Sequence, residues 1–224
     1  MALAIFDLDN TLLAGDSDYL WGRFLVGRGI VDAEEYERLN EQFYADYHAG
    51  NLDILAFLRF ALRPLSLHPL ADLLAWREEF VQEHIEPVVL PRALTLVEQH
   101  RKRGDVPLII TATNEFVTAP IAARFGIPHL IATTPAQADG RFTGDVAGIP
   151  AFQHGKVRRL ETWLAETGYD LAGSTFYSDS HNDLPLLERV TNPIAVDPDP
   201  VLRAHAEGCG WPIISLREGA NQPC

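Results

Sequence analysis

The chain begins with a short uninterrupted apolar run, Ala2-Leu-Ala-Ile-Phe6, that delivers two carboxylates at once, Asp7 and Asp9, followed by Asn10 and Thr11. A run of this length and composition reads as a buried strand. Residues two apart on a strand point the same way, so both carboxylates lie on one side of the chain. At ~4 Å and an effective dielectric of ~20, their repulsion would be about 4 kcal/mol. Something positive, or a shared proton, must sit between them. Such a pair at a strand end points to a metal site, to a nucleophile with its acid/base partner, or to both.

Composition narrows the partners. The 224 residues are 47% hydrophobic and 22% charged, with a formal net charge of −13, as expected of a soluble globular chain that buries a sizeable core. An acidic balance argues against nucleic acid and against an anionic membrane surface. It still permits phosphorylated metabolites, provided a cation and local amides reverse the field at the site. The two cysteines, Cys209 and Cys224, suggest reduced thiols rather than a disulfide framework, and no basic leader precedes the first apolar run. No stretch is apolar for long enough to span a bilayer, and repeats and low-complexity segments are absent. The expectation is a cytoplasmic protein, monomer or homodimer, acting on a small molecule.

The grammar of the chain changes twice. From about Asp16 to His84 apolar residues recur at three- and four-residue spacing, as in Tyr19, Leu20, Phe24 and Leu25, and later Ile54, Phe57, Leu58 and Ala61. Pro64 and Pro69 are expected to break this region into at least two helical parts. It contains no convincing strand and is too long for an ordinary crossover, so it reads as a helical subdomain (14–88) inserted into a core made of 1–13 and 89–224. Beyond Pro91 strands and helices alternate. Strands are expected at 106–111, 128–133, 174–178, 193–196 and 213–215, and helices at 92–103, 118–125, 156–167 and 184–190, with a hairpin turn at Asp139-Gly140. This alternation implies an α/β fold with a doubly wound parallel sheet. Ligands bind beyond the carboxyl ends of such strands, which places Asp7, Asp9, Thr111 and Asp179 along one rim.

Those residues match the needs of phosphate-ester hydrolysis. Asp7 can serve as a carboxylate nucleophile that accepts the phosphoryl group, and Asp9 can protonate the leaving oxygen and then activate water. A hard divalent cation with oxygen-only ligands, best Mg²⁺, would offset the charge between nucleophile and phosphate. Thr111, at the end of Ile109-Ile110, is a phosphate donor, and Lys156, after Gly155 at a helix start, is the cationic clamp. Asp179 and Asp183, in Ser178-Asp179-Ser-His-Asn182-Asp183, complete the acidic side.

Taken in order along the chain, Asp7-Leu-Asp9-Asn-Thr11, Thr111, Lys156 and Ser178-Asp179-x-x-x-Asp183 resemble the four motifs of the haloacid dehalogenase superfamily, in the branch similar to phosphoserine phosphatase. The resemblance implies a Rossmann-like core with a helical C1 cap, and a Mg²⁺-dependent phosphatase acting on a small phosphomonoester through an aspartyl-phosphate. Carried over residue by residue, it implies metal ligation by Asp7, the Asp9 main chain and Asp179, with Asp183 as a ligand or just behind the ligands. It also implies substrate contacts from Thr111, Ala112, Thr113, Asn114, Lys156 and Asn182, and from Asp16 at the position of an early cap acid that holds a substrate ammonium. Phosphoserine phosphatases usually carry Ser-Gly-Gly-Phe where this chain has Thr111-Ala112-Thr113-Asn114. The departure points to another amine-bearing ester, such as histidinol phosphate, beside phosphoserine itself.

The remaining features have plainer readings. Arg59 and Arg63 are candidates for gripping a substrate carboxylate. His181 reads as a solvated loop histidine, Asp183 as a cap for the helix after it, and Tyr19, Trp21, Phe43, Tyr44 and Tyr47 as subdomain core. Within the superfamily, Asp9 argues against a dehalogenase, which would not need the second acid. The alternatives are a phosphotransferase or phosphomutase of the same fold, and a non-catalytic metabolite-binding relative.

Overall fold

The computed structural model describes residues 1–217, the His48 side chain excepted; Cys224 and the end of the expected core segment lie outside the described residues. Seven strands form one sheet: β1 (Leu3–Phe6), β2 (Val106–Asn114), β3 (His129–Ala138), β4 (Arg141–Ala147), β5 (Thr175–Ser178), β6 (Asn192–Val196) and β7 (Ile213–Ile214). Their order is β4-β3-β2-β1-β5-β6-β7. Every pairing is parallel except that of β4, which returns antiparallel along β3 at the edge. The hairpin between them turns at Asp139 and Gly140, both with positive φ (50° and 75°), the backbone that an Asp-Gly pair adopts readily.

The central position of β1 follows from its composition. All four residues are at most 1% exposed, because each face of the strand meets a separate apolar layer. Ala4 and Phe6 face one layer with Ile109, while Leu3 and Ile5 face the other with Leu108 and Ile110. The second layer is closed by α7 (His154–Thr167), α8 (Leu184–Leu187) and α9 (Pro200–Cys209). The first is closed by α5 (Pro91–Lys102) and α6 (Glu115–Arg124), and by helices from the long segment between β1 and β2.

That segment holds α1 (Ser17–Gly27), α2 (Ala33–His48), α3 (Ile54–Leu67) and α4 (Leu70–Phe80), then a π-helical turn (Val81–Ile85) and a 3-10 turn (Glu86–Val88). Asp16, Asp32 and Asp53 start the first three helices, each side chain accepting a backbone N–H of the opening turn. The chain leaves and re-enters the core side by side, through an isolated antiparallel bridge between Leu13 and Val89. No single helix among the described residues is long and apolar enough to cross a membrane.

Three expectations about the elements are corrected. Pro69 starts α4, but Pro64 lies inside α3 rather than ending it. Its missing N–H costs the helix one bond, and burial of Leu58, Ala61, Leu62 and Leu65 on the same helix outweighs that local cost. β2 and β3 run on past Thr111 and Thr133 to Asn114 and Ala138, whereas the expected 184–190 helix stops at Leu187. Helix α9 had no counterpart in the sequence reading, although Asp199-Pro200 is a sound start signal: the Asp199 side chain accepts the Val201 and Leu202 N–H groups.

Beside β1, His100 of α5 packs against the Phe6 ring and is 4% exposed, with Nδ1 2.8 Å from Asp105 and Nε2 2.8 Å from the Tyr177 hydroxyl. Burial holds its imidazole below the usual value of 6.5, against the upward pull of Asp105. The folded state therefore binds fewer protons than the unfolded one near that pH, so this contribution is full above pH ~6.5 and is lost as pH falls below it. We expect urea midpoints of wild type and His100→Gln to converge as pH drops from about 7.5 to about 5.5. A constant gap over that range would show that His100 is not held neutral.

Candidate active site

The carboxyl ends of β1, β2 and β5 bring the expected residues to one rim. Asp7 continues β1, its N–H donating to the Tyr177 carbonyl at 2.9 Å. Asn10, with φ of 56°, then turns the chain so that Thr11 folds back beneath Asp7. The Thr11 hydroxyl lies 3.3 Å from Asp7 Oδ2 and 3.1 Å from Asp179 Oδ1, and it accepts the Asp179 N–H at 3.1 Å.

Lys156 is the hub of the site. Its side chain is 4% exposed, and Nζ donates to Asp7 Oδ1 at 2.7 Å and to Asp183 Oδ2 at 2.8 Å. Burial alone would push its ammonium down, but Asp183 and Asp7 outweigh burial and raise it. Ser178 fixes Asp183 from behind at 2.7 Å. Asp183 thus spends its carboxylate on Lys156 and Ser178, and the expected side-chain cap on α8 does not form.

Asp9 sits apart from this triad. Its Oδ1 accepts the Ser17 N–H at 2.6 Å, at the start of α1, and its Oδ2 accepts the Thr113 hydroxyl at 2.8 Å, with Thr111 farther off at 3.4 Å. Burial, then Asp16, push its carboxyl up to about 6, against the lowering pull of Ser17 and Thr113. Asp7 is pushed up to about 7, chiefly by burial, with Lys156 opposing and Asp183 and Asp9 adding to the rise. Asp179 is raised well above the usual carboxylate range by burial and by Asp7 and Asp183.

Asp7 and Asp179, bridged by the Thr11 hydroxyl, are the residues that could hold a hard cation. The donors there are oxygen only, as Mg²⁺ prefers. Among the described residues no three His, Cys, Asp or Glu side chains gather into a cage.

A cavity opens above these groups, walled on the far side by the helical segment. Asp7, Asp9, Thr111, Ala112, Thr113, Lys156, Asn182 and Asp183 form its floor, and Asp16, Asp18, Tyr19, Asn40, Phe43, Tyr44, Tyr47, Leu52, Ile54 and Phe57 its upper wall. Asn114 does not line it. Its side chain caps α6 through the Val117 N–H at 3.2 Å and touches Asp18 at 3.5 Å. Asp16 lines the cavity but spends one oxygen on the Tyr19 N–H as the cap of α1.

Other readings change as well. Of the five aromatic residues expected in the subdomain core, Trp21 packs there against Phe24 and Phe80 and Phe43 against Phe57 and Phe60; Phe43 also lines the cavity, as do Tyr19, Tyr44 and Tyr47. His181 is not merely solvated, since Nδ1 lies 2.8 Å from Asp199. Arg59 and Arg63 are exposed and lie outside the cavity lining. Asp18 and Asn40 were missed because neither carries a local signature; the Asp16-Ser17-Asp18 spacing just after the first motif was the nearest thing to one.

The start of α7 depends on Gly155. A Cβ there would collide with the Pro150 carbonyl oxygen, so the loop closes tightly only over glycine. We expect Gly155→Ala to destabilise the fold by about 1–3 kcal/mol through overpacking. Because Lys156 is the next residue, turnover should fall roughly ten- to hundredfold from misplacement. Unchanged melting temperature and rate would disprove this dependence.

Comparisons with known proteins agree with this geometry. The haloacid dehalogenase-like hydrolase family model matches residues 4–188. A histidinol-phosphatase of Neisseria meningitidis is 47% identical over 219 residues, covering 96% of this chain and 99% of the relative. A phosphoserine phosphatase of Mycobacterium tuberculosis is 32% identical over 226 residues, covering 96% of this chain and 71% of the relative. Among solved structures, a protein of unknown function from Bordetella pertussis superposes with a TM-score of 0.91 at 47% identity, covering 96% and 99% of the two chains. A phospho-aspartyl intermediate analogue of phosphoserine phosphatase shares the fold, with a TM-score of 0.69 at 21% identity over 96% and 93%. With the family model spanning most of its length and its four motifs converging on one rim, this chain belongs to the haloacid dehalogenase-like hydrolases.

Proposed function

We propose that the protein is a Mg²⁺-dependent phosphomonoester phosphatase that works through an aspartyl-phosphate on Asp7, with histidinol phosphate favoured over phosphoserine as substrate. The observation that carries the reaction is the division of labour between two carboxylates. Asp7 is held in line by Lys156, while Asp9 is held away from Lys156 by Ser17 and Thr113.

In the first step a carboxylate oxygen of Asp7 attacks phosphorus, and the bond from phosphorus to the ester oxygen breaks. Asp9, whose raised pKa keeps a proton available near neutrality, delivers that proton to the departing oxygen. A water then attacks the phosphorus of the aspartyl-phosphate and gives its proton to Asp9. The bond to the Asp7 oxygen breaks, leaving free phosphate and the original carboxylate. Lys156 and Thr111 hold the non-bridging oxygens throughout. Asp7, Asp179 and the Asp9 main-chain carbonyl would hold Mg²⁺, with Asp183 supporting through Lys156; the ion supplies neutralising charge between Asp7 and the phosphoryl oxygens.

We assign residues 14–88, bounded by the Leu13–Val89 bridge, to a cap that covers the floor and selects the substrate. The cap favours an amine and disfavours a carboxylate. Five aspartates line the cavity, and Lys156, already engaged by Asp7 and Asp183, is the one lysine or arginine among its described lining residues. The carboxylate of phosphoserine would enter with no cation to meet it. A histidinol-phosphatase at 47% identity supports the same choice.

The test is phosphate release from a panel of small phosphomonoesters. We expect histidinol phosphate to exceed phosphoserine at least about tenfold in kcat/KM, with loss on EDTA treatment and recovery with Mg²⁺. Asp7→Asn should lose at least about a thousandfold in kcat while melting as wild type does. Full activity of that variant would sink the mechanism, and release from no ester by folded, Mg²⁺-supplied protein would favour a mutase or a binding scaffold.

A further inference from the structure

One polar atom in the cavity wall is left over once the proposed chemistry has taken what it uses. Asp18 is 8% exposed, and its Oδ2 has no hydrogen-bond partner, although its Oδ1 meets Asn114 Nδ2 at 3.5 Å. Every other carboxylate of the floor and lower wall is engaged: Asp7 and Asp183 by Lys156, Asp9 by Ser17 and Thr113, Asp16 by Tyr19. A buried carboxylate oxygen without a donor is costly, typically by 1–3 kcal/mol or more, unless something that enters the cavity satisfies it.

What would satisfy it is set by the surroundings. Asp18 stands in the first turn of α1 beside Asp16, so the field there is negative and selects N–H donors that carry positive charge. Aromatic rings flank this acidic corner: Tyr19 and Tyr44 lie 5.1 Å apart and Phe43 and Phe57 5.5 Å apart, centroid to centroid. Each pair is packed ring on ring, and all four line the cavity, where an outward face or edge can meet a flat heterocycle or a cation. The phosphate floor and this corner are the two ends of one cavity.

We infer that Asp18 is the specificity-determining residue for the nitrogen-bearing end of the substrate, its carboxylate, which lines the cavity, accepting an N–H from a cationic or heteroaromatic group seated against the cap aromatics. This rests on the phosphatase reading for the identity of the floor, but the corner recognises the alcohol part of the ester whether or not turnover occurs. Asp18 contacts no reacting atom and selects what is bound.

Two measurements separate the readings. In the first, kcat/KM is measured for histidinol phosphate and for phenyl phosphate, which lacks nitrogen, on wild type and on the isosteric Asp18→Asn. We expect the ratio of the two to fall at least about tenfold in the variant, through KM rather than kcat, as the loss of a hydrogen bond to a charged group would give. Equal loss on both esters, or no change in the ratio, would overturn the assignment while leaving the phosphatase reading intact.

The second needs no turnover. Calorimetric titration of wild type with L-histidinol, which has the amine and ring without phosphate, should show binding at least about tenfold tighter than with L-histidine, which adds a carboxylate. Asp18→Asn should abolish that preference. If wild type binds the two alike, the corner does not select a cation and the inference fails, even if Asp18→Asn does not fold. If L-histidinol binds selectively but no ester is hydrolysed, the corner stands and the proposed reaction falls.

Discussion

A lysine ammonium buried between two carboxylates is the interaction on which the site is built. Lys156, Asp7 and Asp183 are each less than a tenth exposed, and Lys156 Nζ lies 2.7 Å from a carboxylate oxygen of each aspartate. Burying any one of them alone would cost several kcal/mol, and together they are tolerable only because each satisfies another. The pairing also ties three remote parts of the chain together: the end of β1, the start of α7 and the turn after β5. Removing the lysine would leave two buried carboxylates facing each other, so its charge matters to the fold as well as to the phosphoryl oxygens we assign to it.

Around that hub the two aspartates of the first motif, only two residues apart, acquire different environments. Asp7 points at Lys156 and Thr11; Asp9 points at the first backbone N–H of α1 and at Thr113. Identical side chains are given distinct work by what each accepts hydrogen bonds from. The helical segment contributes to this separation as well as to the cavity wall, because Ser17, the partner of Asp9, is its first helical residue.

Much of the architecture was legible because it rests on local rules. Apolar runs bounded by glycine and proline marked the strands, and the rule that ligands sit at the carboxyl ends of parallel strands placed Asp7, Thr111 and Asp179 together. Tertiary packing overrode local rules elsewhere. Pro64 was expected to end a helix, yet the apolar face of α3 carries the helix through it. Asn114 was expected to contact substrate from its place in the second motif, but the helix it starts claimed its side chain. The upper wall of the cavity was least legible. Its aromatic residues have helical spacing whether they face a core or a ligand, and Asp18 and Asn40 come to the same cavity only when α1 and α2 pack.

The order of the strands has a consequence for how the chain is made. β1 precedes the other six strands along the chain, and its two neighbours are far downstream: Leu3 pairs with Val106, and Ala4 with Thr175. At 5–20 residues per second, the strand carrying Asp7 waits roughly ten to thirty seconds for its second neighbour to leave the ribosome. The four helices that follow β1 are made before any strand that pairs with it, so the segment that walls the finished cavity is also the first placed to cover an apolar face of the nascent strand.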